Sequence, residues 1–316
     1  MFLKRLSNFS VILMIVLFGC LLLNKGIVDK LFTKESKLPI EAKWIAVGDS
    51  HITNSVNPED YPWLVNRAHS GERLLYNFEK IKYYVENNPQ IELVILGYWF
   101  STMVYNEDWV FYGKDAQYRY ESYLPLQLLN NTDVSYLNVP ENRKLFWENY
   151  LGFKVGYPSP AVKLIVKNFF TFNQSLEMRG GFRNARMRYS KKTVTHKKDT
   201  ANIVIDSLAL KNLKDIVSYL KRKKVKLVLL NTPVTKEFLS PLNKGNIDLM
   251  NNIALSYVDH KNVWYLDFTN YKVLDEHFND LHHLNIDGAN YFTPILIDTI
   301  QKLTAKKKRH SYDKNR

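Results

Sequence analysis

Apolar positions along most of this chain follow two alternating rhythms. Trp44 to Val47 is a short, continuous apolar run that stops at Gly48-Asp49-Ser50, and it predicts a buried strand. From Ser70-Gly71 to Asn87 the residues Leu74, Leu75, Phe78, Ile81 and Val85 recur at helical spacing, and Asn87-Asn88-Pro89 ends the predicted helix. Ile91 to Leu96 predicts a second buried strand. The same pattern returns later. Ala209, Leu213, Ile216, Val217 and Leu220 form a helical stripe ahead of a strand from Lys226 to Leu230, which Asn231-Thr232-Pro233 breaks. A helix from Ile247 to Tyr257, a strand from Val263 to Phe268 and a last helix from Asp287 or Gly288 to Leu303 complete the series.

Apolar strands alternating with amphipathic helices predict an α/β domain whose parallel sheet is covered on both faces. Functional residues of such sheets lie on loops at the carboxyl ends of the strands. Ser50 and Gly97 each fall just past a predicted strand, and Asp280 and His283 fall in the loop before the final helix.

Two stretches leave the rhythm. Residues 100–200 are rich in aromatics, among them Trp109, Phe111, Tyr112, Tyr118, Trp147 and Tyr150, and predict an insertion over the carboxyl edge of the sheet. Part of it, from Pro158 to Phe170, reads as helix. Aromatic faces stack on sugar rings, and they also build the core of a lid. At the other end, Lys4 and Arg5 precede an apolar run from Phe9 to Leu23, the arrangement of a signal anchor. The expected division is therefore a basic cytoplasmic segment 1–8, a transmembrane signal anchor 9–24, a linker 25–40, a domain 41–303 carrying the insertion, and a basic tail 304–316. The domain would then lie outside the cytoplasmic membrane of a bacterium. Leu17-Phe18-Gly19-Cys20 also loosely matches a lipoprotein processing site, a second route to the membrane.

Composition narrows the partners. Hydrophobic residues make up 46% and charged residues 24% of the 316, which excludes wholesale disorder. Cys20 is the one cysteine, so an internal disulfide and a cysteine-based metal site are both excluded. The formal charge of +13 is concentrated between Arg179 and Lys198 and at Lys306-Lys307-Lys308-Arg309. Such clusters suit an acidic polymer or anionic lipid, and they also occur as solvated loops and tails. No nucleic-acid-binding signature is present.

The chemistry lies in two distant segments. A serine hydroxyl becomes nucleophilic when an imidazole takes its proton and a carboxylate orients that imidazole. Gly48-Asp49-Ser50 supplies the hydroxyl. Asp280-Leu281-His282-His283 supplies a carboxylate three residues before a histidine, with His282 as a competing base. His51 and His69 lie on separate loops without metal-ligand spacing, so neither metal nor cofactor is expected.

This set resembles the SGNH/GDSL hydrolase superfamily. Gly48-Asp49-Ser50 is similar to its nucleophile block, Asn66 to Glu72 to its second, Leu96-Gly97 to the start of its third, and Asp280 to His283 to its fifth. The resemblance covers residues 43 to 100 and 200 to 303, and implies a flavodoxin-like three-layer sandwich. It implies Ser50 as nucleophile, His283 as base and Asp280 as its orienting acid, with the Ser50 and Gly71 N–H groups facing the oxyanion. Gly71 would also open a helix. Gly97 and Trp99 fall at the remaining oxyanion and substrate positions. The family's pattern has an asparagine where this chain has Trp99, whose indole N–H would have to replace it. Within the superfamily, the anchor and the Asp280 to Ala289 segment look most like proteins that acylate envelope polysaccharides. An esterase or O-acyltransferase acting on a cell-surface glycan, served in the transfer case by a membrane-bound acyl-transfer partner, is the implied function. A non-catalytic glycan-binding or assembly protein is the competing one, and a lipid-directed esterase a third.

Overall fold

The computed structural model describes residues 5, 7–15, 18–19, 37–99, 102–103, 153–154, 157–158, 181–183 and 205–312. The chain divides into two units, one of Met1–Leu38 with Asp108–Met178 and one of Pro39–Glu107 with Arg179–Arg316.

The second unit holds an open, all-parallel sheet. Its strands are β1 (Trp44–Val47), β2 (Leu64–Asn66), β3 (Leu93–Gly97), β6 (Lys226–Asn231) and β7 (Val263–Asp267), and their spatial order is β2-β1-β3-β6-β7. Counted within the sheet this is the 2-1-3-4-5 order of a flavodoxin-like, doubly wound fold, in which chain direction across the sheet reverses between β1 and β3. The first unit includes β4 (Phe153–Lys154) and β5 (Tyr157–Pro158), an antiparallel pair of two residues each.

Period-two alternation assigns each strand residue to a face. Ala46, Ile95, Val228 and Trp264 pair laterally across four strands and belong to one apolar cluster. That cluster takes in Ile52 and Val56, at α1 (Ser50–Ser55) and its C-cap, and Phe292, Leu296 and Ile300 of α6 (Ile286–Tyr312). On the other face α2 (Leu74–Asn87) packs against β1, α3 (Ser207–Lys223) packs against β6, and the two helices pack on each other. Ala209, Leu213, Ile216, Val217 and Leu220 are all buried along α3, as their spacing predicts. Two further helices follow β6, the single turn α4 (Lys236–Leu239) and α5 (Lys244–Tyr257).

Several expectations need correction. The helix predicted from Ser70-Gly71 begins at Leu74; Gly71 lies in the preceding turn at φ +70°, a left-handed conformation that a helix cannot contain. The final helix continues past Leu303 to Tyr312, so the basic tail is helical over most of its length. Pro158 lies in a strand, and the rest of the helix expected to Phe170 lies outside the described residues. Residues 7–15 and 18–19 are helical, but among the described residues no helix is long and apolar enough to cross a membrane, and 16–17 and 20–36 lie outside them. Most of the aromatic insertion and most of the basic stretch from Arg179 also lie outside.

Candidate active site

Ser50 is placed by the way β1 ends. Gly48 has φ +143°, which L side chains rarely adopt, and this lets the chain leave the strand sharply. Asp49 then caps α1, its side chain accepting from the His51 N–H at 2.9 Å, so Ser50 is the first helical residue. Burial raises the Asp49 carboxyl above its usual value, against the pull of that N–H. Asn66, the last residue of β2, donates to the carbonyls of Ile52 and Val56 and accepts from Ala68 N–H, clamping the rear of the helix. A short helix held at both ends keeps the serine in one position.

The loop before α6 brings the other two groups. Phe278 and Leu284 are buried and bridge each other, closing a tight turn between them. Within it Asp280 Oδ1 accepts from the N–H groups of His282 (2.9 Å) and His283 (2.8 Å). The turn carries the His283 ring back over Asp280, Nδ1 to Oδ2 at 2.7 Å, and presents Nε2 to Ser50 Oγ at 2.7 Å. Burial works to raise the Asp280 carboxyl. The hydrogen bond and charge of His283 and the His282 N–H outweigh it and hold the group well below the usual carboxylate range. Hydroxyl, imidazole and ionised carboxylate thus form a continuous hydrogen-bonded chain, and the imidazole in contact with the serine is that of His283.

Gly97 sits where β3 passes the Gly48 turn. A Cβ there would come within 2.6 Å of Ile52 Cγ1 and 3.4 Å of Gly48 Cα, so the residue is needed for close packing beneath the serine. Trp99 is buried, with its ring 5.0 Å from His51 and 5.7 Å from Phe238. It forms an apolar wall beside the histidines. Gly71 lies in the loop that follows β2, and the start of that loop runs along the end of β1, where His69 N–H donates to Gly48 O at 2.9 Å.

The expectation that His51 lies on a separate loop, away from any ligand grouping, is corrected: it lies in α1 and its ring meets those of His282 and His283. One ring nitrogen from each of His51, His282 and His283 lies within 4.8 Å of the other two, a grouping able to hold a metal ion. Burial first, then repulsion from His282 and His283, lowers the His51 pKa well below its ordinary value. His69 stands apart, its Nδ1 3.0 Å from Ser70 O.

Two hollows open along the carboxyl edge. One, of about 300 Å³, is lined by Trp99, Asn231, Leu239, Asp248, Met250 and Asp267 among others. Its polar floor follows from a directed chain: Tyr265 Oη donates to Asn251 Oδ1 at 2.7 Å, so it accepts from Asn231 Nδ2, also at 2.7 Å. That fixes the Asn231 amide and leaves its buried Oδ1 without a donor. A second, shallower hollow of about 270 Å³ is lined by Thr53, His69, Ser70, Phe182 and Arg183. Sequence reasoning missed the first hollow, although Asn231 directly follows a predicted strand and so obeys the same rule that singled out Ser50.

No protein-family model matches the chain, and no curated protein matches it. Among solved structures it is similar to a Streptococcus pneumonia protein described as a candidate platelet activating factor, at 13% identity and a TM-score of 0.40, over 92% of this chain and 98% of that one. It is also similar to a GDSL-like lipase from Bacteroides thetaiotaomicron, at 10% identity and a TM-score of 0.39, over 88% and 97%. Likenesses at this level say nothing of what this chain does.

Proposed function

We propose that the chain is an SGNH-type serine O-acyl esterase or O-acyltransferase acting on a cell-surface glycan. The observation that carries the reading is the relay from Ser50 Oγ through His283 to Asp280, with both contacts at 2.7 Å. Ser50 Oγ attacks the ester carbonyl as its proton passes to His283 Nε2; the C–O bond to the leaving alcohol then breaks, and that proton goes to the departing alkoxide. Water or a sugar hydroxyl, deprotonated in turn by His283, attacks the acyl-serine; the acyl–Oγ bond breaks and His283 returns the proton to Ser50 Oγ. Asp280 stays ionised and stabilises the imidazolium formed at each step.

Ser50 heads its helix, so its N–H has no acceptor within that helix and is available to a developing oxyanion. The Gly71 N–H is assigned as the second donor. Support for a polyhydroxylated substrate comes from the larger hollow, which sets the polar Asn231, Asp248 and Asp267 beside the apolar Trp99 and Leu239. Arg183, in the smaller hollow, suits a polymer that carries negative charge. Membrane attachment belongs to the same reading and is supported by the helical residues 7–15, where Phe9, Ile12, Met14 and Ile15 are each about 60% or more exposed.

Hydrolysis of an acetylated glycan and of p-nitrophenyl acetate by wild type and Ser50→Ala tests the proposal, together with labelling by a fluorophosphonate probe. Turnover and labelling that both disappear with the serine are expected. Equal turnover by the two proteins ends the enzyme reading and favours a glycan-binding protein.

A further inference from the structure

We propose that His51, His282 and His283 form a zinc site that switches the serine relay off. The three come from two separate parts of the chain, the first helix of the sheet domain and the loop before its last helix, and one ring nitrogen of each lies within 4.8 Å of the other two. A tetrahedral zinc ion bonds imidazole nitrogen at about 2.0–2.1 Å, which separates ligand nitrogens by about 3.4 Å. Small rotations of the side chains bring the rings to that separation.

The surroundings are those that metal-binding imidazoles use. His283 directs Nδ1 to the Asp280 carboxylate, the partner that orients a ligating histidine and raises its basicity, and so leaves Nε2 for the ion. His51 Nδ1 lies 3.4 Å from Thr232 Oγ1, which leaves its Nε2. Trp99 packs on the His51 ring and Phe238 on the His282 ring, at 5.0 and 4.8 Å, so an apolar wall excludes water from one side. Three neutral imidazoles are a ligand set suited to zinc.

The consequence for the reaction follows from one atom. His283 Nε2 is the acceptor of the Ser50 hydroxyl, and it has a single lone pair. Bound to zinc, it cannot take the serine proton. The metal-bound and relay states are therefore mutually exclusive, and zinc acts as a reversible inhibitor.

The test uses metal-stripped full-length protein with zinc, and with cobalt(II) as a spectroscopic substitute. One equivalent of zinc is expected to raise the melting temperature, and cobalt to give the intense visible absorption of a tetrahedral site. Neither measurement depends on catalysis, so both stand even where the esterase reading fails. His282→Ala leaves the Ser50–His283–Asp280 relay in place; it is expected to remove the cobalt spectrum and to raise at least tenfold the zinc concentration that blocks fluorophosphonate labelling. His51→Gln serves as an independent second variant with the same expected loss. A melting temperature unmoved by zinc, or metal binding unchanged in both variants, overturns the proposal.

Discussion

Gly97 and Gly48 meet at the point where the sheet reverses direction, so closely that a Cβ on Gly97 would lie 3.4 Å from Gly48 Cα and 2.6 Å from Ile52 Cγ1. The helix that carries Ser50 is seated on this contact. A methyl group at position 97 must lift Ile52 or shift the strand end, and overpacking of that kind costs about 1–3 kcal/mol. Gly97→Ala is therefore expected to lower the melting temperature and to reduce kcat more than it raises KM, because the serine moves while the hollows stay. Unchanged stability in a thermal melt would show that the close approach is relieved elsewhere.

Asp280→Asn separates orientation from proton transfer. The carboxyl is held well below the usual range, so it is ionised at any pH above about 5 and does not set the acid limit of activity. The substitution removes the charge that stabilises the imidazolium and permits the wrong tautomer of His283. A fall in kcat on the order of 10³-fold or more is expected across that range, in parallel with the loss in Ser50→Ala. Steady-state rates at several pH values check it. An undiminished kcat would place the orienting group elsewhere.

Asn231→Leu examines the larger hollow. Asn231 lines it beside Asp248 and Asp267, with its amide held by the Tyr265 hydroxyl. Replacing this polar lining with an apolar side chain is expected to raise KM for an acetylated oligosaccharide by about tenfold, roughly 1.4 kcal/mol. Turnover of p-nitrophenyl acetate, which carries no sugar, should not change. Equal effects on the two substrates would remove the hollow from substrate recognition.

Asp259 supplies a pH-dependent stability unconnected with the site. Its Oδ1 accepts the N–H groups of Lys261, Asn262 and Val263 at 2.7–2.9 Å, and Lys221 Nζ lies 3.0 Å from Oδ2. Against a burial effect that raises it, these contacts hold the carboxyl well below its ordinary 3.8. Above 3.8 both folded and unfolded chains are ionised and the stabilisation is complete. Below 3.8 the unfolded chain takes up the proton first, and the advantage shrinks as pH falls toward the folded value. Asp259→Ala should lower the melting temperature at pH 7, with a gap to wild type that narrows toward pH 2. A constant gap in calorimetry at the two pH values would contradict the linkage.

What sequence pattern made legible is the sheet. Burial of one helical face and of whole strands imposes periods that local composition must obey, so α3, β3, β6 and β7 fall within a few residues of their predicted positions. The shorter elements escaped. β2 has three residues and α1 six, too few for a period to declare itself, and α1 begins at Ser50 itself. The helix expected from Ser70-Gly71 starts later, at Leu74, because the glycine adopts φ +70°, a backbone state that no hydropathy pattern encodes.

The chain's own chemistry determined that a strand would end in Gly-Asp-Ser and that a carboxylate would stand three residues before a histidine, since both are local. Only the tertiary structure decided that Ser50 and His283, 233 positions apart, share a hydrogen bond. It alone decided that His51 and His282 join them, and that Trp99 walls the imidazoles. Such convergence depends on strand order and on loops folding back over the sheet edge, which are fixed by the packing of the whole domain rather than by any one segment.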